Sequence, residues 1–142
     1  MLDYDNLLLL DAEDLSECGI REAYERLLPS LCEYVREPTL LEEIINSDLP
    51  LYAVKSRGKE YRIYAPDLDE DSWGRATFAL FSIVNDQLMG SPYRLYAINS
   101  GNDLSGMYLT EEQVLDAQKT LLNKTDWPYL PTDLPPWYGQ HH

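Results

Sequence analysis

WGRATFALFSIVNDQLMG, residues 73–90, decides the fold because it reads two ways. As a strand it is too long and shows no alternation. As a helix it sets Thr77, Leu80, Phe81, Val84 and Leu88 on one face, at the spacing of a 3.6-residue period. Asp71 or Ser72 can cap its start and Gly90 can stop it, so length and punctuation select the helix.

A helix there turns its flanks into hairpins. Upstream, LYAVKSRGKEYRIYAP (51–66) reads as two strands around Gly58, ended by Pro66. Downstream, YRLYAIN (93–99) is a strand, GNDLSG (101–106) has turn chemistry, and MYL (107–109) returns. Thr110 and Gln113 then form a capping box for a helix through Val114, Ala117, Leu121 and Leu122. YRIYAP and YRLYAI echo one another, hinting at a duplicated ββα unit.

Nearer the start, GIREAYERLLPSLCEYVRE (19–37) carries a helical stripe through Ile20, Ala23, Tyr24, Leu27, Leu28, Leu31, Cys32 and Val35. Pro29 is expected to kink this helix, and Cys32 to lie on its buried side. Glu17 with Arg21, and Glu22 with Arg26, are spaced as i,i+4 pairs. PTLLEEIINSD (38–48) offers a second capping box, Thr39 with Glu42, and a short apolar face of Leu40, Leu41, Ile44 and Ile45. The expected architecture is a single α+β domain over 1–142. A kinked helix and a short helix precede ββα-ββα, with a four-stranded, mainly antiparallel sheet and helices against one face.

The tail, DWPYLPTDLPPWYGQHH (126–142), packs four prolines and four Trp or Tyr residues into its length. Each proline pushes its predecessor, Trp127, Leu130 or Leu134, toward extended geometry. PYLP spells PxxP without a flanking Arg or Lys, and no Gly/Ser linker precedes it. Its apolar area is too large to leave wet. An extended strap across the chain's own body is the expectation, with Trp127, Tyr129, Trp137 and Tyr138 at its contacts.

Charge is lopsided. The net value is −14, and residues 1–50 hold thirteen acids against Arg21, Arg26 and Arg36. Asp11, Glu13 and Asp14 belong to the surplus that no helix pair absorbs. Such a field repels nucleic acid and anionic membrane and speeds encounter with basic partners. The acidic start lacks a secretory n-region, and LLLL at 7–10 is too short for a span. Cys18 and Cys32 would sit about 21 Å apart along a helix, out of bridging range. The cytoplasm fits this cysteine usage.

Catalytic chemistry is sparse. His141 and His142 are the sole histidines and lie at the extreme end, which argues against Ser-His and Cys-His schemes. No phosphate-cradling Gly loop and no Cys/His metal spacing occurs, so no cofactor is expected. DLDEDS (67–72) begins like a calcium loop, but Ser72 and Phe78 stand where Gly and Glu are required. KSRGKEYR (55–62) gathers Lys55, Arg57, Lys59 and Arg62 on one hairpin, as a charged, solvated turn would. NSGNDLSG (99–106) reads as a turn in which Gly101 and Asn102 suit positive φ.

In size, charge and aromatic content the chain resembles the small acidic immunity proteins that bacteria make against toxins. No motif carries that resemblance, so no residue role transfers. It implies a protein-binding domain that blocks a basic partner. On physical grounds alone, Asp11, Glu13 and Asp14 would occupy the partner's groove and the tail aromatics would form the desolvated anchors. The alternative is a small carboxylate-dependent enzyme, and a homo-oligomeric component is a third reading. Changing Asp11, Glu13 and Asp14 together to Lys is expected to slow association and leave the fold intact.

Overall fold

The computed structural model describes residues 2–142. It is an α+β structure with four helices and two three-stranded antiparallel sheets. The helices are α1 (Ala12–Glu17), α2 (Ile20–Leu31), α3 (Ser72–Gln87) and α4 (Glu111–Thr120). The strands are β1 (Leu8–Leu9), β2 (Glu42–Asn46), β3 (Leu51–Ser56), β4 (Lys59–Tyr64), β5 (Tyr93–Ile98) and β6 (Ser105–Thr110).

The segment 73–90 is helical. Ala76, Thr77, Ala79, Leu80, Phe81, Ile83 and Val84 are buried on α3, and Leu88 is buried just beyond it. The helix touches β4, β5, α1 and α2, so the main core forms around it. That core also takes Leu15, Tyr24 and Leu31 from the first helices, and Tyr52, Val54 and Ile63 from the sheet β2-β3-β4. The β3–β4 hairpin closes through Arg57 and Gly58, with φ of 50° and 81°. Two successive positive φ values match the right-handed twist of the flanking strands, and Gly58 takes the second without strain.

Four strands do not form one sheet. The observed orders are β1-β6-β5 and β2-β3-β4. The additional strands come from segments with other readings. Residues 42–46, expected in a short helix, pair with β3 over five positions from Glu42↔Lys55 to Asn46↔Leu51. A helix of barely two turns gains little against its nucleation cost. The adjacent Ile44 and Ile45 suit a pleated surface, and Asn46 closes the connecting turn by accepting from Asp48 N and Leu49 N. Leu8 and Leu9 add a two-residue edge to β6 opposite Gly106 and Ser105. The echoing YRIYAP and YRLYAI therefore fall on unlike strands: β4 closes one hairpin, while β5 opens the other.

Helices do not share one face either. Leu95 and Ala97 of β5 enter the main core, whereas Tyr96 and Ile98 join Met107, Leu109, Val114 and Ala117 under α4 in a second cluster. The unbroken apolar run Leu95–Ile98 serves two buried faces at once. The capping box that starts α4 is present, Thr110 and Gln113 satisfying one another's backbone amides.

The long kinked helix expected over 19–37 is shortened to α2, Ile20–Leu31, and Gly19 (φ 103°) separates it from a short preceding helix, α1. Pro29 lies within α2 two residues from its end, and the stripe stops there instead of continuing in phase. Cys32 follows as an exposed C-cap, not a buried side chain. With Glu17 and Arg21 on separate helices, the ion pair formed is Arg21–Glu25.

The tail is extended only in part. Around Tyr129 it runs antiparallel to β5, with Ala97 N donating to Tyr129 O at 2.8 Å and Tyr129 N to Ala97 O at 3.0 Å. Asn85 of α3 serves Leu95 along the same strand, its side chain donating to Leu95 O and accepting from Leu95 N. Beyond residue 132 the chain folds back, Thr132 N donating to Tyr138 O and Tyr138 N to Leu134 O. The Pro135–Pro136 peptide in this return is cis.

Candidate functional site: a loop between an acidic hollow and an aromatic cleft

Loop 99–103, read from sequence as a turn, is where the two groups of expected contact residues meet. Asn99 and Gly101 take positive φ (62° and 61°), not Gly101 and Asn102, and Gly101–Asp103 make one 3₁₀ turn. This projects Asn102, whose amide donates to Asp11 Oδ1 and Glu13 Oε1, both at 3.1 Å. Leu10 N and Asp11 N both donate to Leu104 O at 3.0 Å. The acidic N-terminal segment is thereby fastened to the loop.

On one side lies a hollow of about 480 Å³, lined by Asp11, Asp14, Arg26, Asn102 and Asp103 among others. Three carboxylates face one guanidinium there. Asp14 is exposed, and its carboxylate makes no hydrogen bond or ion pair among the described residues, only its backbone carbonyl accepting from Cys18 N. The nearby Cys18 thiol is pushed up from its ordinary value, by desolvation and then by Asp14, Glu22 and Glu17. Asp11 and Glu13 are bridged by a neutral amide rather than by a cation. Asp11 is also structural: it caps α1 at φ 58° with Oδ1 accepting from Glu13 N at 3.0 Å. A lysine there loses the cap and the Asn102 bond, so the triple Lys variant is expected to be less stable by about 1 kcal/mol at this residue.

On the other side lies a cleft of about 200 Å³. Asp71, Trp73, Tyr129, Trp137, Tyr138 and Gln140 line it, and Ser100 and Gly101 of the loop form its near wall. Tyr129 is buried, and its hydroxyl donates to Asn99 O at 2.7 Å. Burial pushes its phenol up to about 12. Tyr138 donates to Asp71 Oδ2, and burial followed by that bond raises its phenol well above the ordinary value. Its ring lies on the first turn of α3, where a Cβ on Gly74 would sit 2.2 Å from Tyr138 Cε2. Glycine is needed there for close approach, not for its backbone freedom. Trp137 is 56% exposed at the rim, and its ring lies against that of His142 at a tilt of 35°.

The seven expected contact residues do not make one patch. Asp11 and Asp14 line the hollow, Glu13 is held by Asn102, and Tyr129, Trp137 and Tyr138 line the cleft. Trp127 lies apart, its indole N–H donating to Leu121 O at 3.0 Å and its ring edge-on to His141. Sequence reasoning missed Asn102, Asp103, Trp73 and the side chain of Asp71 as site components. Asp71 does begin α3, but its side chain makes no cap bond and turns instead to Tyr138.

The other charged motifs are absorbed locally. Asp67 pairs with Arg62 and Asp69 with Arg75, which hold both carboxyls below their ordinary range. Arg57 and Lys59 reach Asp86 on α3. Among the described residues no cluster of three or more His, Cys, Asp or Glu side chains is arranged to hold a metal ion, and no helix is long and apolar enough to cross a membrane. No protein-family model matches the chain, and no curated protein or solved structure matches it either.

Proposed function

We propose that the chain is a protein-binding domain that docks on a basic partner through the face around loop 99–103, in the manner of an inhibitor. One observation carries this reading. An acidic hollow lined by three carboxylates and a cleft walled by Trp and Tyr flank the same short loop. Electrostatic attraction supplies the rate and orientation of encounter. Large aromatic groups beside it supply desolvated contact area, the usual source of binding energy at interfaces.

A Lys/Arg-rich decapeptide titrated into the full chain at low salt tests the face. Amide NMR signals of Asp14, Asn102 and Asp103 are expected to move with the Trp137 indole signal. Asp14→Lys combined with Asp103→Lys, both exposed positions, should slow association at least ~10-fold at low salt, and the difference should shrink as salt screens it. Shifts confined to Glu42, Glu43 and Asp48, or an association rate indifferent to the double substitution, would remove the reading.

A further inference from the structure

We infer that the cleft beside loop 99–103 receives a single organic cation of side-chain size, a guanidinium or an alkylammonium. The inference rests on the docking reading above and names what the partner inserts.

Size comes first. About 200 Å³ is too small for the roughly 300–1,000 Å³ that drug-sized ligands occupy, and it suits one side-chain head group. Chemistry of the walls comes second. Trp73, Trp137, Tyr138 and Tyr129 contribute aromatic surface around the space. The ring quadrupole places negative potential on such faces and attracts cations, Trp most strongly.

Charge comes third. Asp71 is the one carboxylate in the lining, and no Lys or Arg lines the cleft. Arg75, close by, is already engaged by Asp69 Oδ1, Asp69 O and Ile63 O. Asp71 Oδ2 is held by the Tyr138 hydroxyl, while Oδ1 has no partner among the described residues. A phenol raised by burial stays protonated and keeps donating, so it fixes the carboxylate without neutralising it. The result is one oriented anion within an aromatic enclosure, in a chain of net charge −14.

The test uses the full chain and small probes: N-acetyl-arginine methylamide, N-acetyl-lysine methylamide and tetramethylammonium, with N-acetyl-citrulline methylamide as the neutral isostere. The readout is the NMR signal of each indole N–H, with Trp127, outside the cleft, as internal control. Saturable shifts are expected at Trp73 and Trp137 but not at Trp127, with the citrulline probe at least ~10-fold weaker. Asp71→Asn should weaken cation binding at least ~10-fold and keep the fold, since the Asp71 side chain has no cap bond to lose and Asn still accepts from Tyr138. Trp137→Ala, at an exposed rim position, gives an independent second variant.

Equal binding of citrulline, or no movement of either cleft indole, overturns the inference. If the basic decapeptide still shifts Asp14 and Asp103 in that case, the docking reading survives alone. A peptide with one Arg among neutral residues separates the sources. Binding of the peptide more tightly than the free amide supports a partner's side chain, whereas tighter binding of tetramethylammonium supports a free small cation.

Discussion

Asp11 shows how one residue serves fold and surface together. Its positive φ is strained for a residue with a Cβ, and its carboxylate offsets that strain through bonds from Glu13 N and the Asn102 amide. Asp11→Ala should cost about 1–2 kcal/mol in chemical denaturation, and Asp11→Gly only a few tenths, because glycine releases the backbone as it gives up the cap. Equal costs for the two variants would show that the lost side-chain bonds, not the backbone, set the cost. Gly74 makes the opposite case. Gly74→Ala improves helix propensity by roughly 1 kcal/mol but places a methyl inside the Tyr138 ring. The expected outcome is little change in melting temperature, with Tyr138 displaced and the tail cut faster by protease. Buried phenols set an alkaline limit. Tyr108 and Tyr129 are raised from 10.0 to about 12, chiefly by burial. A raised folded value contributes stability that is complete below the unfolded value and is lost as pH climbs through the folded one. Urea midpoints should therefore fall between about pH 10 and about pH 12, and Tyr129→Phe should flatten that decline.

At the level of elements, local signals were legible and long-range pairing was not. α3 announced itself by length and by the face Thr77-Leu80-Phe81-Val84, the hairpin by Gly58, and α4 by Thr110 and Gln113. Each of those cues lies within a few residues of its effect. β2 was obscured because Leu40, Leu41, Ile44 and Ile45 also repeat at helical spacing, and only β3 across the turn decides between the two. β1 is too short to carry a period. The split into two sheets depends on which strands meet in space, which periodicity does not encode. The candidate site follows the same division: the acids and tail aromatics stood out by composition, while Asn102 and Asp71 looked like ordinary turn and cap residues. Because α3 centres the main core, Phe81→Ala should cost about 3–5 kcal/mol by loss of packing and creation of a cavity. A loss under about 1 kcal/mol would mean that the core repacks around the gap.

Across the whole molecule, the tail and the sheet of β1, β6 and β5 depend on one another. β5 is the outer strand of that sheet, yet its outward backbone groups at Leu95 and Ala97 are already taken, the first by Asn85 and the second by Tyr129. An unpaired strand edge is a template for aggregation. Lifting the tail frees the Ala97 N–H and C=O and withdraws Tyr129 from the main core, while α3 and its Asn85 stay in place. Material stressed mildly enough to free only residues beyond 126 should therefore self-associate strand upon strand, through β5, before it loses helical content.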